Sequence, residues 1–169
     1  AIAAGQDLVP ITPENEDLLR PHLEERSLHL LLQSAIDGAN RAVFTRSRQS
    51  GGALDGMGST LCAAVVSGGT ALVANVGDSR LYLIREHIRQ VTKDHSLVEE
   101  MVARGKMERD SESYRSQKNI ITRAMGIGNR VEADFFEVPL LECDCVLLCS
   151  DGLTNMVDDA EISRVLKTT

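Results

Sequence analysis

The sequence has no tryptophan, and aromatic residues make up only 3% of its 169 residues. That excludes an aromatic-built core, so the interior must come from Leu, Val, Ile and Ala. No run of about 18 apolar residues is present, which excludes a spanning helix. Positive charge is not in excess: the formal net charge is −7, which argues against nucleic acid or an anionic membrane surface as main partner. The opening AIAAGQDLVP lacks the basic start and long apolar stretch of a secretory signal. Nor is there a disulfide framework. Cys143, Cys145 and Cys149 crowd within seven residues while Cys62 stands apart, which suits reduced thiols and a cytoplasmic setting. A zinc reading of Cys143-Asp144-Cys145 finds no second ligand pair. Cys145, Leu147 and Cys149 alternate as one face of a strand would.

What is there reads as one globular domain. Hydrophobic residues are 43% and charged residues 25%, and a chain of this length can bury a sizeable core. Thr12 with Pro13 and an acidic first turn predicts a short helix to about Leu19. From Glu24, Leu28, Leu31, Leu32, Ala35, Ile36, Ala39 and Val43 recur at helical spacing. A strand-rich block follows: Thr60 to Val66, Thr70 to Val76, Arg80 to Arg85 and Ile88 to Thr92. Ser67-Gly68-Gly69 and Gly77-Asp78 read as tight turns, so the expectation is an antiparallel meander. Ser96 starts a helix carrying Leu97, Val98, Met101 and Val102. Residues 104–118 are polar and charged, which predicts an exposed flap. Asn119 to Met125 is expected as a short helix, and Ala133 to Val138 and Cys145 to Cys149 as strands. Asp158 with Glu161 resembles a capping box before Ile162, Val165 and Leu166.

Five segments carry a resemblance when taken in order. They are Gly56-Met57-Gly58-Ser59-Thr60, Val76-Gly77-Asp78-Ser79-Arg80, Thr92-Lys93-Asp94-His95-Ser96, the run from Asn119 to Gly126, and Leu148-Cys149-Ser150-Asp151-Gly152-Leu153-Thr154. Together they resemble the metal-dependent serine/threonine protein phosphatases of the phosphatase 2C class, in the style of compact bacterial members. The resemblance spans roughly residues 24–167. It implies an α+β fold, a four-layer α-β-β-α sandwich of two antiparallel sheets, and a centre holding two or three Mn²⁺ or Mg²⁺ ions. It implies that Asp151, at a strand end beside Gly152, binds the di-metal centre, and that Asp94 helps to bind a third ion. A carboxylate at a strand end next to a residue without a side chain can meet a metal uncrowded. Helix capping is the plainer role for both aspartates. Gly77, Asp78 and Arg80 are read as structural: Asp78 suits the turn, and Arg80 could pair with a buried carboxylate. His95 could orient a neighbour.

Asp55 is spelled like the class's first metal motif, yet the long helix precedes it and a strand follows, so it is not assigned as a ligand. The resemblance also implies an Arg and a bridging Asp-Gly ahead of the long helix, and an Asp-Asn after the last one. None is in the sequence, so the expectation is a domain incomplete at both ends. The implied activity is hydrolysis of phosphoserine and phosphothreonine in proteins, substrates of a Ser/Thr kinase, by a metal-activated water. The alternative is a catalytically inactive binding or regulatory module.

Overall fold

The computed structural model describes residues 28–109 and 111–167. The helix expected after Thr12 lies outside them. The first helix, α1, is Leu28–Gln49. It turns Leu32 and Ile36 inward, the spacing that one helical turn brings onto one face. Strand β1 (Leu61–Ser67) and β2 (Thr70–Val76) form a hairpin through Gly68 and Gly69, both at positive φ. Strand β3 (Arg80–Ile84) pairs with β4 (Ile88–Gln90). Helix α2 (Leu97–Ala103) and short α3 (Glu112–Gln117) follow. Then come β5 (Asp134–Pro139), β6 (Cys145–Cys149), α4 (Asp151–Thr154) and α5 (Asp159–Lys167).

The expected meander does not form. The strands make two antiparallel three-stranded sheets, ordered β1-β2-β5 and β4-β3-β6. Gly77-Asp78 is therefore no hairpin turn but a corner at which the chain leaves one sheet for the other. The reason is Gly77: its φ is +103°, a backbone state that L side chains rarely adopt. A Cβ there would lie 2.4 Å from Thr60 Cγ2. Residues 140–144 make the second such corner, between β5 and β6. Leu140 N–H bonds Gly69 O at 2.8 Å, and Arg85 grips Asp144 with two bonds of 2.6 Å.

Strand alternation sorts the apolar side chains into two layers. Ala71, Val73 and Val138 of the first sheet meet Leu81 and Leu83 of the second, with Val91 beside them. On the outer face of the first sheet, Ala74, Val76 and Phe135 pack against Leu32 and Ile36 of α1. On the far side α5 lies against β4 and buries Ile162. The order is thus helix, sheet, sheet, helix: an α+β sandwich with an aliphatic core.

The segment from Asn119 to Met125 is extended, not helical. Isolated bridges join Ser96 to Ile121 and Ser59 to Met125, and Thr122 N–H bonds His95 O at 2.8 Å. Its backbone groups find partners in other segments, which removes any need for a helix. Asn40, buried on α1, fixes the loop that follows. Its Nδ2 donates to Gly128 O, and its Oδ1 accepts from Gly126 N–H at 2.7 Å. The last helix starts as expected at Asp158, whose Oδ1 accepts from Glu161 N–H at 2.8 Å. Glu161 does not reach back, because its carboxylate is taken by Arg164.

Candidate functional site

The Gly77 corner is held by a polar lattice. Asn75, fully buried, donates from Nδ2 to Gly77 O and to Lys93 O. His95 N–H bonds Gly77 O at 2.9 Å, and Gly77 N–H bonds His95 Nδ1 at 3.0 Å. With Nδ1 accepting, the ring proton belongs on Nε2, which faces Asp134 Oδ2 at 3.2 Å. Arg123 Nη1 donates to Asp134 Oδ1 at 2.7 Å. Asn75 Oδ1 is a buried acceptor without a partner among the described residues. The lattice places the residues on either side of the corner, Asp78 and Asp94, at one cavity.

That cavity, about 600 Å³, is lined by Asp78, Asp94, Asp151 and Asp159 among others. Asp94 has both oxygens engaged. Arg80 Nε reaches both at 3.0 Å, Arg80 Nη2 reaches Oδ2 at 2.7 Å, and Gln90 Nε2 reaches Oδ1 at 2.8 Å. Arg80 Nη1 also donates to the Tyr82 hydroxyl at 2.9 Å, which donates in turn to Asp159 at 3.0 Å. Tyr82 is fully buried, and burial pushes its hydroxyl up to about 12. This chain of bonds ties β3 to α5.

Asp151 stands apart from that chain. It is the first residue of α4, with Ser150 as its N-cap, so it does not act as the cap. Its Oδ2 accepts from Asn155 Nδ2 at 3.1 Å, and Oδ1 has no partner among the described residues. Asp78 feels both neighbours. Burial first, then the negative charge of Asp151, raises its carboxyl above the ordinary value, and Asp94 adds to the effect. A cation between these carboxylates would relieve that repulsion. Hard oxygen donors suit Mg²⁺ or Mn²⁺. Asp151 fits such an ion with a free oxygen. Asp94 fits only if Arg80 yields. Among the described residues no three His, Cys, Asp or Glu side chains stand close enough to hold an ion by themselves.

Arg109, Tyr114, Arg115 and Lys118 also line the cavity. Glu99 of α2, only 7% exposed, accepts from Arg109 Nη2 at 2.5 Å and from the Tyr114 hydroxyl at 2.7 Å.

Asp55 is exposed in the turn after α1 and does not line this cavity. All four cysteines are free. Burial pushes the Cys62 thiol up to about 11 and raises Cys149 as well, so neither is a thiolate nucleophile near neutral pH. Gly152 has room around it: the atom nearest to where a Cβ would stand is Ser150 Oγ, at 3.4 Å. Sequence reasoning missed Glu99, Asp159, Asn75 and Arg123. A carboxylate at Glu99, among Leu97, Val98, Met101 and Val102, was the one signal available.

A family model, protein phosphatase 2C, matches residues 9–169. The chain is 42% identical over 147 residues to a protein from Listeria monocytogenes named serine/threonine phosphatase stp, covering 86% of this chain and 58% of that one. It thus spans a little over half the length of this curated relative. The crystal structure of serine/threonine phosphatase Stp1 from Staphylococcus aureus superposes with a TM-score of 0.74 at 33% identity, over 96% of this chain and 58% of that chain. The catalytic domain of the serine threonine protein phosphatase PstP, solved in complex with two manganese ions, has a TM-score of 0.74 at 30% identity, over 89% of this chain and 64% of that one.

Proposed function

The chain belongs to the protein phosphatase 2C family, and on that premise we propose that the protein is a metal-dependent phosphatase acting on phosphoserine and phosphothreonine in proteins. The observation that carries this is Asp151: a half-buried carboxylate where β6 meets α4, one oxygen free, in a cavity shared with three other aspartates. Asp151 would hold a Mn²⁺ or Mg²⁺ ion; that a relative was solved with two manganese ions supports the metal. Such an ion, when bound, supplies charge neutralisation at the phosphoryl oxygens and acidifies a water. The chain's own residues set the geometry for it. Asn155 donates to Asp151, and Arg80 and Gln90 hold Asp94, which lines the same cavity. Burial raises the Cys62 and Cys149 thiols, so neither supplies a thiolate for a phosphoenzyme, and direct attack by water is the simpler route. The substrates would be proteins phosphorylated by a Ser/Thr kinase in the cytoplasm. No helix among the described residues is long and apolar enough to cross a membrane.

Asp94 carries a different load. Its role toward a third ion requires exchanging bonds with Arg80, so that ion would be weakly held. The test is hydrolysis of p-nitrophenyl phosphate and a phosphothreonine peptide by the full-length protein, with Mn²⁺ and with EDTA, beside calorimetric Mn²⁺ binding. Asp151→Ala should abolish Mn²⁺-dependent turnover and weaken Mn²⁺ binding while leaving the melting temperature nearly unchanged. Asp94→Ala should cost about 2 kcal/mol of stability, because it leaves Arg80 and Gln90 without their acceptor in a largely buried setting. A well-folded protein without metal-dependent turnover would sink the enzyme reading and leave a catalytically inactive binding module.

A further inference from the structure

Arg80 opens β3, and alternation along that strand sends Leu81 and Leu83 into the core and leaves Arg80 and Tyr82 on the other face. Gln90 of β4 stands opposite Tyr82, and Cys149, two residues before Asp151, stands opposite Arg80. The sheet thus carries a fixed positive charge to the cavity that holds the aspartates. A carboxylate such as Asp94 offers about four lone-pair positions. Arg80 makes three contacts with it and Gln90 a fourth. Side-chain exposure is only 9% for Asp94 and 23% for Arg80, so water screens this pair less than one on the surface. Burial works against the Arg80 charge, but the Asp94 bonds outweigh it and raise the guanidinium above its ordinary value. Arg80 therefore cannot release Asp94 by losing its proton; it can do so only by moving. A second carboxylate lies one hydroxyl away. Arg80 Nη1 already donates to the Tyr82 hydroxyl, which donates to Asp159 Oδ1. Asp159 Oδ2 has no hydrogen bond among the described residues.

We infer that Arg80 is an exchangeable counter-cation: it occupies Asp94 while no divalent ion is bound there, and it passes along Tyr82 to Asp159 when such an ion takes its place. The inference rests on the metal-dependent phosphatase reading of the cavity. Two cations compete for one saturated carboxylate, so an ion binds Asp94 only as far as its attraction exceeds that of the guanidinium. The displaced charge is not stranded, because Asp159 receives it. Arg80 is thus a positioning residue. It sets how tightly the ion is held, and it carries the ion's arrival to the first turn of α5, where Asp159 stands. Arg80→Met keeps an unbranched stem and removes the charge. Arg80→Lys keeps the charge without the planar fork, so it serves if the first variant folds poorly.

The experiment needs no substrate. Full-length wild type and variants are compared by calorimetric Mn²⁺ titration, by melting in EDTA and in Mn²⁺, and by hydrogen exchange of α5 with and without Mn²⁺. Arg80→Met should melt below the wild type in EDTA, where Asp94 has lost its counter-charge, and Mn²⁺ should recover most of that difference. One Mn²⁺ should bind about tenfold tighter than in the wild type, with Arg80→Lys between the two. Adding Asp94→Asn to Arg80→Met restores the formal charge of the wild-type pair and should erase the gain. Mn²⁺ should slow exchange at the start of α5 by about fivefold in the wild type and leave it unchanged in Arg80→Met. Equal Mn²⁺ affinity in the wild type and both Arg80 variants, or a gain that survives Asp94→Asn, would overturn the competition. Equal slowing of α5 with and without Arg80 would overturn the passage to Asp159. Turnover, and its loss in Asp151→Ala, decides the phosphatase reading, so the failure of either is seen apart from the other.

Discussion

At the scale of single residues, backbone conformation matters as much as chemistry. Gly77 sits at φ +103° with Thr60 against the place a Cβ would occupy. Gly77→Ala combines a left-handed backbone state with overpacking, and should cost about 3 kcal/mol in denaturant unfolding. Asp134 gives a pH signature. Burial works to raise its carboxyl, but the Arg123 bond and then His95 outweigh it and hold it below the ordinary 3.8. A depressed carboxylate contributes stability that is complete above that value and is lost as pH falls through it. Stability should therefore decline on acidification below about pH 4, and Asp134→Asn should flatten that part of the curve, as urea unfolding at stepped pH would read out. Asp151 was visible in the sequence because it ends a strand beside Gly152, and Asp94 because the segment around it resembles the family's. Glu99, Asn75 and Arg123 were not, because what defines them is a partner on another segment.

At the scale of elements, local patterning and long-range pairing part company. The amphipathic spacing of α1, the apolar runs of β1, β2 and β3 between turn signals, and the Asp158 start of α5 are all legible, since each depends on residues a few positions apart. Sheet membership is not. Gly-Asp is a fair signal for a hairpin, yet the same two residues here turn the chain between sheets. Only the pairing of β2 with β5, and of β3 with β6, reveals it. The Asn119 to Met125 run looks helical in isolation and becomes extended because Ser59 and Ser96 supply its bridging partners. Helix α2 offers a clean test of a local rule. Ser96, 1% exposed, caps it by accepting from Glu99 N–H. Ser96→Ala should lower stability by about 1 kcal/mol, read as a drop in the urea midpoint with an unchanged slope.

At the scale of the whole molecule, the two corners set how the sandwich is joined. One lies at Gly77, past the end of β2. The other spans residues 140–144, beyond the Pro139 end of β5, where Thr70 begins β2. The sheets are thus stitched at opposite ends. The hairpins β1-β2 and β3-β4 are near neighbours in sequence and can close early. The third strand of each sheet comes from far downstream, and β5 and β6 arrive joined by a five-residue span. Among the described strands, pairing of β5 with β2 therefore brings β6 within a five-residue span of its place beside β3. Hydrogen exchange of β2 and β3 amides in rising urea should converge on one opening free energy. A half-built sandwich, with β5 paired and β6 loose, is therefore a state this connectivity works against.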